Sequence, residues 1–584
     1  MAHRNNHIAA GAMPVIGRMF EAAAAAAPVA RSTAAAAPAL PFVGAVLDCR
    51  AGERITVARR LTLAHDLFLA DHNFVHAPAV KALADCFPVV PMTASLEILA
   101  ETAACLAPGY GLTGFEAVVA RRWIAVVDGG ELALRVEGRV ASTDAGQAST
   151  RIAVQLFAGE HPLPAIEATV LFGAQYDAAP PAHAWSAPGG QTLDAARLYS
   201  ERRLFHGPRF QGLHGAIELG PHSACAELRV LPAHDWFAAQ PQPQLLCDPA
   251  LLDAVGQLLG AWAMQQGGII FPIGLGRLDL FGPTPAPGTL VPVSLRIVGR
   301  QLKMLSADVD IGDGAGGVWM RISGWKCWQF QWAAQLVAFQ RDPAQFLLSD
   351  AQDLPAPLAG LVCRRLGAQR VAGFDLALLA RHCLHASEMA RFHAKAAWPQ
   401  RQSDWLLGRV AAKDAARAWH ARAGGGGRYL HPAAFAIDSD GAGQPRIACW
   451  PGPMAPPCIS IAHSAGEAIA VADAAPLGID IERVVARDDA FLASFSSVQE
   501  RHLLAPWPGA ERDAWVTRLW CAKEALGKRL GSGVTGAPQQ FEAQALSPDG
   551  GLRLYHRPSG SVAHIVTVRD GDFVIAVDRP RVNP

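Results

Sequence analysis

The sequence predicts an α+β protein in which a repeated unit of one helix and several strands precedes a separate C-terminal domain. Two observations carry this prediction. A long apolar helix followed by strands of alternating polarity occurs between residues 41 and 178, and the same layout recurs between residues 192 and 335. Beyond residue 373, a strand and a helix carry acidic side chains at spacings that place them on one face.

The repeated unit contains one long helix each time, at residues 93–107 (TASLEILAETAACLA) and at residues 249–265 (PALLDAVGQLLGAWAMQ). Alternating segments follow, such as LALRVEGRV and RIAVQLFAG in the first half and VSLRIVG and SADVDIG in the second. A sheet wrapped round a helix, twice over, is a double hotdog fold. We therefore expect two hotdog halves joined by a Pro- and Gly-rich linker at residues 179–191.

Length and composition describe an ordinary core-forming protein of 584 residues, 51% of them hydrophobic and 17% charged. The 51 basic and 51 acidic side chains balance and form no long run of one sign, which favours neither nucleic acid nor a membrane as a partner. The 11 cysteines include no Cys-x-x-Cys pair, so we expect no disulfide framework and a reducing, cytoplasmic location.

Two segments are expected to lie outside the folded domains. Residues 1–40 are rich in alanine but interrupted by Pro28 and Pro38, which predicts a flexible segment rather than a signal peptide or a spanning helix. Residues 336–372 are predicted to be a linker with some helix. The C-terminal domain would then span residues 373–584.

The acidic residues of the C-terminal domain lie in two short segments. In PLGIDIERV (476–484), which alternates like a strand, Asp480 and Glu482 would point to the same face. In RLWCAKEALGK (518–528), a helix would align Glu524 with Lys528. Magnesium is usually held by a few carboxylates plus phosphate oxygens, so this set suits a pyrophosphate substrate. For the helix alone, an exposed ion pair is the ordinary alternative.

Together these segments resemble the signatures of the surfactin-synthetase type of 4′-phosphopantetheinyl transferase, a Gly-Ile-Asp-x-Glu strand and a Trp-x-x-Lys-Glu-Ala-x-x-Lys helix. The resemblance covers residues 373–584 and includes SIAHSAG (460–466) and WLLGRVAAKDA (405–415). It implies a pseudo-twofold α+β fold. It also implies transfer of 4′-phosphopantetheine from coenzyme A to the serine of an acyl carrier protein.

The same resemblance implies a role for each site residue. Asp480, Glu482 and Glu524 would bind Mg²⁺, and Glu524 would also act as the base and Lys528 as the acid. His463 and Ser464 would contact the coenzyme A phosphates. The full set implied in binding coenzyme A is Arg409, Lys413, His463, Ser464 and Lys523.

One alternative concerns Ser464. The stretch Ala-His-Ser-Ala-Gly around it approximates the nucleophile elbow of an α/β hydrolase, in which this serine would be a nucleophile. Such an elbow needs a helix directly after the serine. The alternating segment AIAVADA that follows favours a strand.

Three phrases of the N-terminal region resemble the dehydratase domains of polyketide synthases: LADHNF with PVVPMTASLEILAE, LYSERRLFHGPRFQGL, and DPALLDAVGQ. The resemblance covers residues 41–335. It is greatest to iterative synthases of the enediyne kind, with polyunsaturated fatty acid synthases next. It implies removal of water from a β-hydroxyacyl thioester on a carrier protein, in domains that often pair as homodimers.

Dehydration needs a base at the α-carbon and an acid at the departing hydroxyl, and His72 and Asp253 fit those roles. Gln257 lies four residues after Asp253 on the predicted helix, where it could orient the acid. In so apolar a helix, burial is expected to keep the Asp253 carboxyl neutral. The ordinary alternative for Asp253 is a carboxylate near a helix N-terminus. His76 stands where the family usually has glycine, which leaves an impaired dehydratase as an alternative.

The sequence leaves two other functions open for the hotdog region. It could be a non-catalytic module that docks the carrier, or a thioesterase that cleaves the acyl chain from it. No Asp-Ser-Leu carrier site occurs in the sequence. The acyl carrier is therefore expected on another chain or in a region absent from this one.

Overall fold

The computed structural model describes residues 40–146, 148–183, 190–424, 428–534 and 536–580. The chain forms two compact units, one ending at Trp332 and the other beginning at Ala333, except that His76–Lys81 belongs to the second. The segment predicted to be flexible, residues 1–40, lies outside the described residues apart from its last position. The predicted linker at 179–191 does so in part.

The first unit is an antiparallel sheet that wraps two long helices. Its elements in chain order are β1 (Ala45–Arg50), β2 (Arg54–Thr62), β3 (Val89–Val90), α1 (Met92–Ala104), β4 (Gly111–Ala120), β5 (Ile124–Ala125), β6 (Glu131–Asp144), β7 (Ser149–Ala158), β8 (Ile166–Gly173), β9 (Gln191–Asp194), α2 (Ala195–Ser200), β10 (Leu213–Leu219), β11 (Ser223–Arg229), α3 (Pro249–Gln265), β12 (Ile269–Leu280), β13 (Leu290–Gln301), β14 (Met304–Gly312) and β15 (Val318–Phe330). The strand order is β1-β2-β6-β7-β8-β4-β12-β15-β14-β13-β11-β10-β9, with β3 paired to β5 apart from it.

Each half of this sheet carries one of the two predicted helices. Helix α1 packs on β6, β7 and β8, and α3 packs on β10, β11 and β12. The Asp248 side chain caps α3 by accepting from the Leu251 amide at 2.9 Å, and Pro249 fits the first helical position. The halves join where β4 pairs with β12, with Val118 opposite Leu275. The prediction of a double hotdog fold is confirmed.

The second unit contains two larger sheets, each packed against one long helix, and a separate two-stranded sheet. Its elements are α4 (Ala334–Arg341), β16 (Asp350–Ala351), β17 (Val362–Gly367), α5 (Leu376–Cys383), α6 (Ala386–His393), α7 (Pro399–Arg422), β18 (Ala436–Ser439), β19 (Pro445–Ala448), β20 (Cys458–Ser464), β21 (Glu467–Asp473), β22 (Gly478–Arg483), α8 (Asp489–Phe495), α9 (Val498–Leu504), α10 (Gly509–Leu530), β23 (Phe541–Leu546), β24 (Gly551–His556), β25 (Ser561–Asp570) and β26 (Phe573–Asp578).

The two long helices of this unit cover different sheets. The order β16-β17-β21-β20 lies under α7, and the order β22-β26-β25-β24-β23 lies under α10; β18 pairs with β19 alone. The first sheet belongs to the N-terminal half of the unit and the second to its C-terminal half. Both acidic segments identified in the sequence fall in the second half, on β22 and α10.

The prediction that residues 336–372 form a linker is wrong. Strand β17 pairs antiparallel with β21, from Val362 opposite Ala472 to Gly367 opposite Glu467. The phrase DLPAPLAG (353–360) just before β17 is rich in proline and favours a boundary, but the strand itself buries Val362, Cys363 and Leu366. The second unit therefore begins near Ala333 rather than at residue 373.

The predicted first block, 41–178, is also interrupted. His76–Lys81 packs with the second unit, where Lys81 Nζ donates to the carbonyl oxygens of Arg381 at 2.7 Å and Leu384 at 3.1 Å. Among the helices that the structure describes, none combines the length and the apolar character needed to cross a membrane.

Candidate active sites

His72 follows a short 3₁₀ turn (Leu67–Asp71) and is buried in the first unit. Its Nδ1 donates a hydrogen bond of 2.7 Å to the Val89 carbonyl oxygen. Because a carbonyl only accepts, the other ring nitrogen, Nε2, carries the lone pair. Burial lowers the pKa of His72 to about 4, although the nearby Asp253 charge opposes the shift. The imidazole is therefore neutral at neutral pH, as a general base must be.

Asp253 is held by a chain of hydrogen bonds. Gln257 Nε2 donates to Asp253 Oδ2 at 2.8 Å and to the Phe210 carbonyl oxygen at 2.7 Å. The Tyr199 hydroxyl donates to Gln257 Oε1 at 2.7 Å and accepts from the Leu213 amide at 3.0 Å. The expected placement of Asp253 and Gln257 on one helix face is therefore observed. The amide of Gln257 is fixed at both ends, so it orients the carboxyl group.

His206 belongs to this site, and sequence reasoning missed it. Its Nε2 lies 3.2 Å from Asp253 Oδ2, and its ring centroid is 5.4 Å from that of His72. One ring nitrogen of each histidine and one carboxylate oxygen of Asp253 lie within 4.8 Å of one another. The sequence did contain a signal for His206. It is a titratable residue directly before Gly207 and Pro208, within the phrase LYSERRLFHGPRFQGL that resembles dehydratases.

The turn after His206 is fixed by Gly207. Its amide donates to the Asp71 carbonyl oxygen at 2.7 Å, and a Cβ atom at this position would lie 2.3 Å from Asp71 Oδ1. Arg209 Nη1 bonds the same Asp71 carboxylate at 2.9 Å. Only glycine permits this close approach, which places His206 beside Asp253.

The expectation that burial keeps Asp253 neutral is wrong. Burial does raise the pKa of its carboxyl group, but the charge and hydrogen bond of His206, with contributions from His72 and Gln257, outweigh it. The pKa of Asp253 therefore falls below its usual value. The proton for an acid step must then be associated with the pair of Asp253 and His206 rather than with Asp253 alone.

In the second unit, Asp480 and Glu482 project from the same face of β22. Lys528 Nζ lies 2.7 Å from Asp480 Oδ1, and Glu482 Oε2 accepts from Ser464 Oγ at 2.8 Å. Asp480 Oδ2 is buried and has no hydrogen-bond partner among the described residues. A buried carboxylate oxygen without a partner is the kind of group that a bound cation satisfies.

The two glutamates of this cluster have raised pKa values. Burial raises the pKa of Glu524, and the Asp480 charge adds to the shift against the opposing charge of Lys528. Burial and the Asp480 charge likewise raise the pKa of Glu482, although the Ser464 hydrogen bond opposes them. A divalent cation would relieve this repulsion, and carboxylate oxygens are the ligands that magnesium prefers. The residues present thus fit a magnesium site.

A cleft of about 270 Å³ lies beside these carboxylates. Its lining includes Trp405, Arg409, Gln444, His463 and Lys528. The Arg409 guanidinium lies over the Trp405 ring at 5.1 Å, and its Nε has no hydrogen-bond partner among the described residues. A cation and a histidine in one cleft suit an anionic ligand such as coenzyme A.

Two lysines predicted to bind coenzyme A do not reach this cleft. Lys413 is fully buried, 2.7 Å from a Glu388 oxygen, and donates to the Pro432 carbonyl oxygen at 2.9 Å. Lys523 is fully buried 2.9 Å from Glu500. Neither ammonium group is free to meet a phosphate, so both predictions are corrected to structural ion pairs.

Ser464 is not on a nucleophile elbow. It ends β20, and Ala465 and Gly466, with φ of 50° and 81°, turn the chain directly into β21. The two strands pair from Cys458 opposite Asp473 to Ser464 opposite Glu467. A hairpin rather than a strand followed by a helix surrounds this serine, which excludes the hydrolase interpretation.

Two family profiles match the chain. Residues 177–336 match the profile described as "Polyketide synthase dehydratase N-terminal domain", and residues 476–578 match that of the "4'-phosphopantetheinyl transferase superfamily". The chain joins a domain of each family. The dehydratase match includes His206, Asp253 and Gln257. The transferase match includes all three acidic residues, Asp480, Glu482 and Glu524.

Curated relatives match each domain in part. A polyunsaturated fatty acid synthase component of Thraustochytrium sp. is 27% identical over 238 residues, which is 40% of this chain and 8% of that protein. The 4′-phosphopantetheinyl transferase psf-1 of Bacillus pumilus is 35% identical over 95 residues, which is 16% of this chain and 40% of that protein. The chain thus spans less than half the length of either relative.

Solved dehydratase structures also match the chain. The dehydratase domain from the CurF module of the curacin polyketide synthase is 16% identical, with a TM-score of 0.38, and covers 50% of this chain and 98% of its own. The domain from the CurJ module is 16% identical, with a TM-score of 0.39, and covers 50% of this chain and 97% of its own.

Proposed function

We propose that the transferase domain moves 4′-phosphopantetheine from coenzyme A to a serine of an acyl carrier protein. The observation that carries this proposal is the buried, unpartnered Asp480 oxygen beside Glu482 and Glu524, next to a cleft with Arg409 and His463. Mg²⁺ held by the three carboxylates would neutralise charge on the coenzyme A pyrophosphate.

The protein side chains would handle the protons of this transfer. Glu524, whose pKa is raised by burial, takes the proton from the carrier serine. The serine oxygen attacks the β-phosphorus, the bond to the bridging oxygen breaks, and 3′,5′-adenosine bisphosphate leaves. Lys528, at the edge of the cleft, donates the proton that the leaving phosphate takes up.

Intact-protein mass spectrometry of an apo acyl carrier protein tests this proposal. Incubation with the chain, coenzyme A and magnesium should add one phosphopantetheine unit, and a chelator should prevent the addition. Glu524→Ala should slow the addition by at least ~100-fold. Glu511→Ala, an exposed position in the first turn of the same helix, is the matched control and should act like the unchanged chain. Normal modification by Glu524→Ala would overturn the site assignment.

We propose further that the dehydratase domain removes water from β-hydroxyacyl chains on the carrier, in iterative polyketide synthesis of the enediyne kind or in polyunsaturated fatty acid synthesis. The support is the neutral, oriented His72 within a few ångströms of Asp253. His72 Nε2 takes the α-proton, while the β-hydroxyl departs as water on the Asp253 side. Gln257 holds the carboxyl group in position.

Mass spectrometry of a β-hydroxyacyl carrier separates this proposal from the alternatives. A dehydratase converts the carrier to a species lighter by one water, and His72→Phe or Asp253→Asn stops the conversion. A docking module leaves the acyl carrier unchanged in every variant. A thioesterase releases the free acid and leaves the holo-carrier. Either of the last two results would overturn the dehydratase proposal.

Three features of the protein's setting are part of the proposal. The acyl carrier would come from another chain or from a region outside this one. The dehydratase domain would form a homodimer, which light scattering in solution tests directly. The balanced charge and the lack of a Cys-x-x-Cys pair in the sequence suit a cytoplasmic location without nucleic acid or membrane partners.

A further inference from the structure

His206 is a titratable side chain at the dehydratase site to which the steps above give no task. Only 8% of its side chain is exposed, and its Nε2 lies 3.2 Å from Asp253 Oδ2. Its Nδ1 is buried and has no hydrogen-bond partner among the described residues. The imidazole is therefore engaged with the carboxyl group of Asp253 and with no other polar group that competes for its proton.

The other polar groups around His206 and Asp253 are already engaged, so none of them competes with His206 as a source of the proton for the departing hydroxyl group. The ring centroid of His72 lies 5.4 Å from that of His206. The Nδ1 proton of His72 is bonded to the Val89 carbonyl oxygen, and its Nε2 takes the proton from the substrate. The Tyr199 hydroxyl already donates to Gln257. The nearby Asp71 carboxylate is paired with Arg209 at 2.9 Å. None of these groups offers a proton to the departing hydroxyl.

We propose that His206 supplies, through Asp253, the proton that leaves with the β-hydroxyl group. The inference rests on the proposed dehydratase function. His72 Nε2 takes the α-proton, the electron pair of that C–H bond forms the double bond, and the C–O bond breaks with its pair on oxygen. His206, doubly protonated in this step, passes its Nε2 proton to Asp253 while the Asp253 carboxyl group passes a proton to that oxygen, which forms water and leaves a neutral imidazole. His72 then returns its extra proton to the pair, which restores the site.

Because His206 acts through Asp253, it is a positioning residue, and the pH dependence of the reaction is the appropriate readout. In His206→Gln, an amide still donates to Asp253 but holds no transferable proton. We expect kcat to fall about 100-fold with KM unchanged. The acid would then be Asp253 alone, so the alkaline limb of the pH profile should move to lower pH by about one unit or more.

A second variant predicts the opposite shift. In His206→Tyr, a phenol holds its proton to about pH 10, so the alkaline limb should move to higher pH than in the unchanged chain. His222→Gln, at an exposed position in the turn after β10, is the control and should leave both rate and profile unchanged. Thermal unfolding of each variant verifies that the domain folds.

The possible results separate cleanly. The role of His206 is supported if the alkaline limb of the pH profile moves to lower pH in His206→Gln and to higher pH in His206→Tyr. A wild-type rate in His206→Gln, or lower rates in both variants with an unmoved pH profile, would overturn it while leaving the dehydratase function intact. Absence of dehydration by the unchanged chain would overturn the proposed function, and this inference with it.

Discussion

At the scale of single residues, the cations of the transferase domain differ in surroundings: Arg409, proposed to bind coenzyme A, lines the cleft, whereas Lys413 and Lys523 form buried ion pairs. Arg409 lines the cleft over Trp405, and its Nε makes no hydrogen bond among the described residues but lies 4.0 Å from Glu388 Oε1. Lys523 instead meets Glu500 and the Phe495 carbonyl oxygen in the interior. Removing one member of a buried ion pair leaves the other charge unpaired, which costs far more than losing an exposed pair.

Arg409 and Lys523 should therefore respond differently to replacement by alanine. Arg409→Ala should raise the KM for coenzyme A about tenfold, equivalent to one charge-assisted hydrogen bond, and should lower the unfolding temperature less than Lys523→Ala because its pair with Glu388 is looser, at 4.0 Å. Lys523→Ala should instead destabilise the domain by about 3–5 kcal/mol because Glu500 stays buried. Steady-state kinetics and thermal unfolding of both variants measure the two effects. A raised KM in folded Lys523→Ala would contradict the assignment of this lysine to the fold.

Some of the site residues were visible in the sequence and others were not. Asp480, Glu482 and Glu524 follow from local spacing alone, because a strand and a helix fix which residues share a face. The burial of Lys413 and Lys523 does not follow from spacing. Their partners, Glu388 and Glu500, lie 25 and 23 positions earlier in the sequence, and only the tertiary fold brings them together.

At the scale of elements, helix α1 carries two buried acids one turn apart. Glu97 accepts from the Leu246 and Cys247 amides, and Glu101 accepts from the Phe42 and Val43 amides. Burial raises the pKa of Glu101, and the neighbouring Glu97 carboxylate raises it further. Glu101 therefore keeps its proton at neutral pH and donates it to Glu97.

These two acids should make the dehydratase domain less stable as the pH rises. A carboxyl group whose pKa is raised on folding contributes stability below its unfolded pKa, and that stability is lost as pH rises toward the folded value. The dehydratase domain should thus lose stability between about pH 5 and about pH 10, since folding raises the pKa of Glu97 to about 7 and that of Glu101 to about 10. Glu101→Gln keeps the acceptor for Phe42 and supplies a permanent donor to Glu97, so it should remove most of this loss. Unfolding temperatures across that range test it, and equal slopes for both chains would contradict the account.

Strand β17 sets the N-terminal boundary of the transferase domain. Strand β17 lies before the predicted domain start, and it supplies the ladder partner of β21. A fragment of residues 373–584 should therefore expose the edge of β21 and lose transferase activity, whereas a fragment of residues 333–584 should keep it. Both fragments lack His76–Lys81, so that segment does not distinguish them. Equal activity of the two fragments would contradict the role assigned to β17.

At the scale of the whole molecule, fold class could be predicted from sequence because both domains repeat simple patterns. The two hotdog helices and their alternating strands show their periodicity directly, and α3 begins and ends where the sequence predicts. The domain limits could not be predicted this way. A Pro-rich segment predicts a turn or a linker equally well. Only the pairing of β17 with β21 shows that the segment before β17 lies inside the domain. His206 was missed because its partner, Asp253, lies on a helix about 50 residues away in the sequence.

The central claim is that one chain arms an acyl carrier and then dehydrates what the carrier holds. The most direct test is intact mass spectrometry of an apo carrier incubated with the chain, magnesium and a β-hydroxyacyl-coenzyme A, with coenzyme A in a parallel sample. The account predicts a gain of the acyl-phosphopantetheine group followed by loss of one water, with Glu524→Ala blocking the first step and His72→Phe only the second. No gain with either donor, or a gain never followed by loss of water, would contradict it.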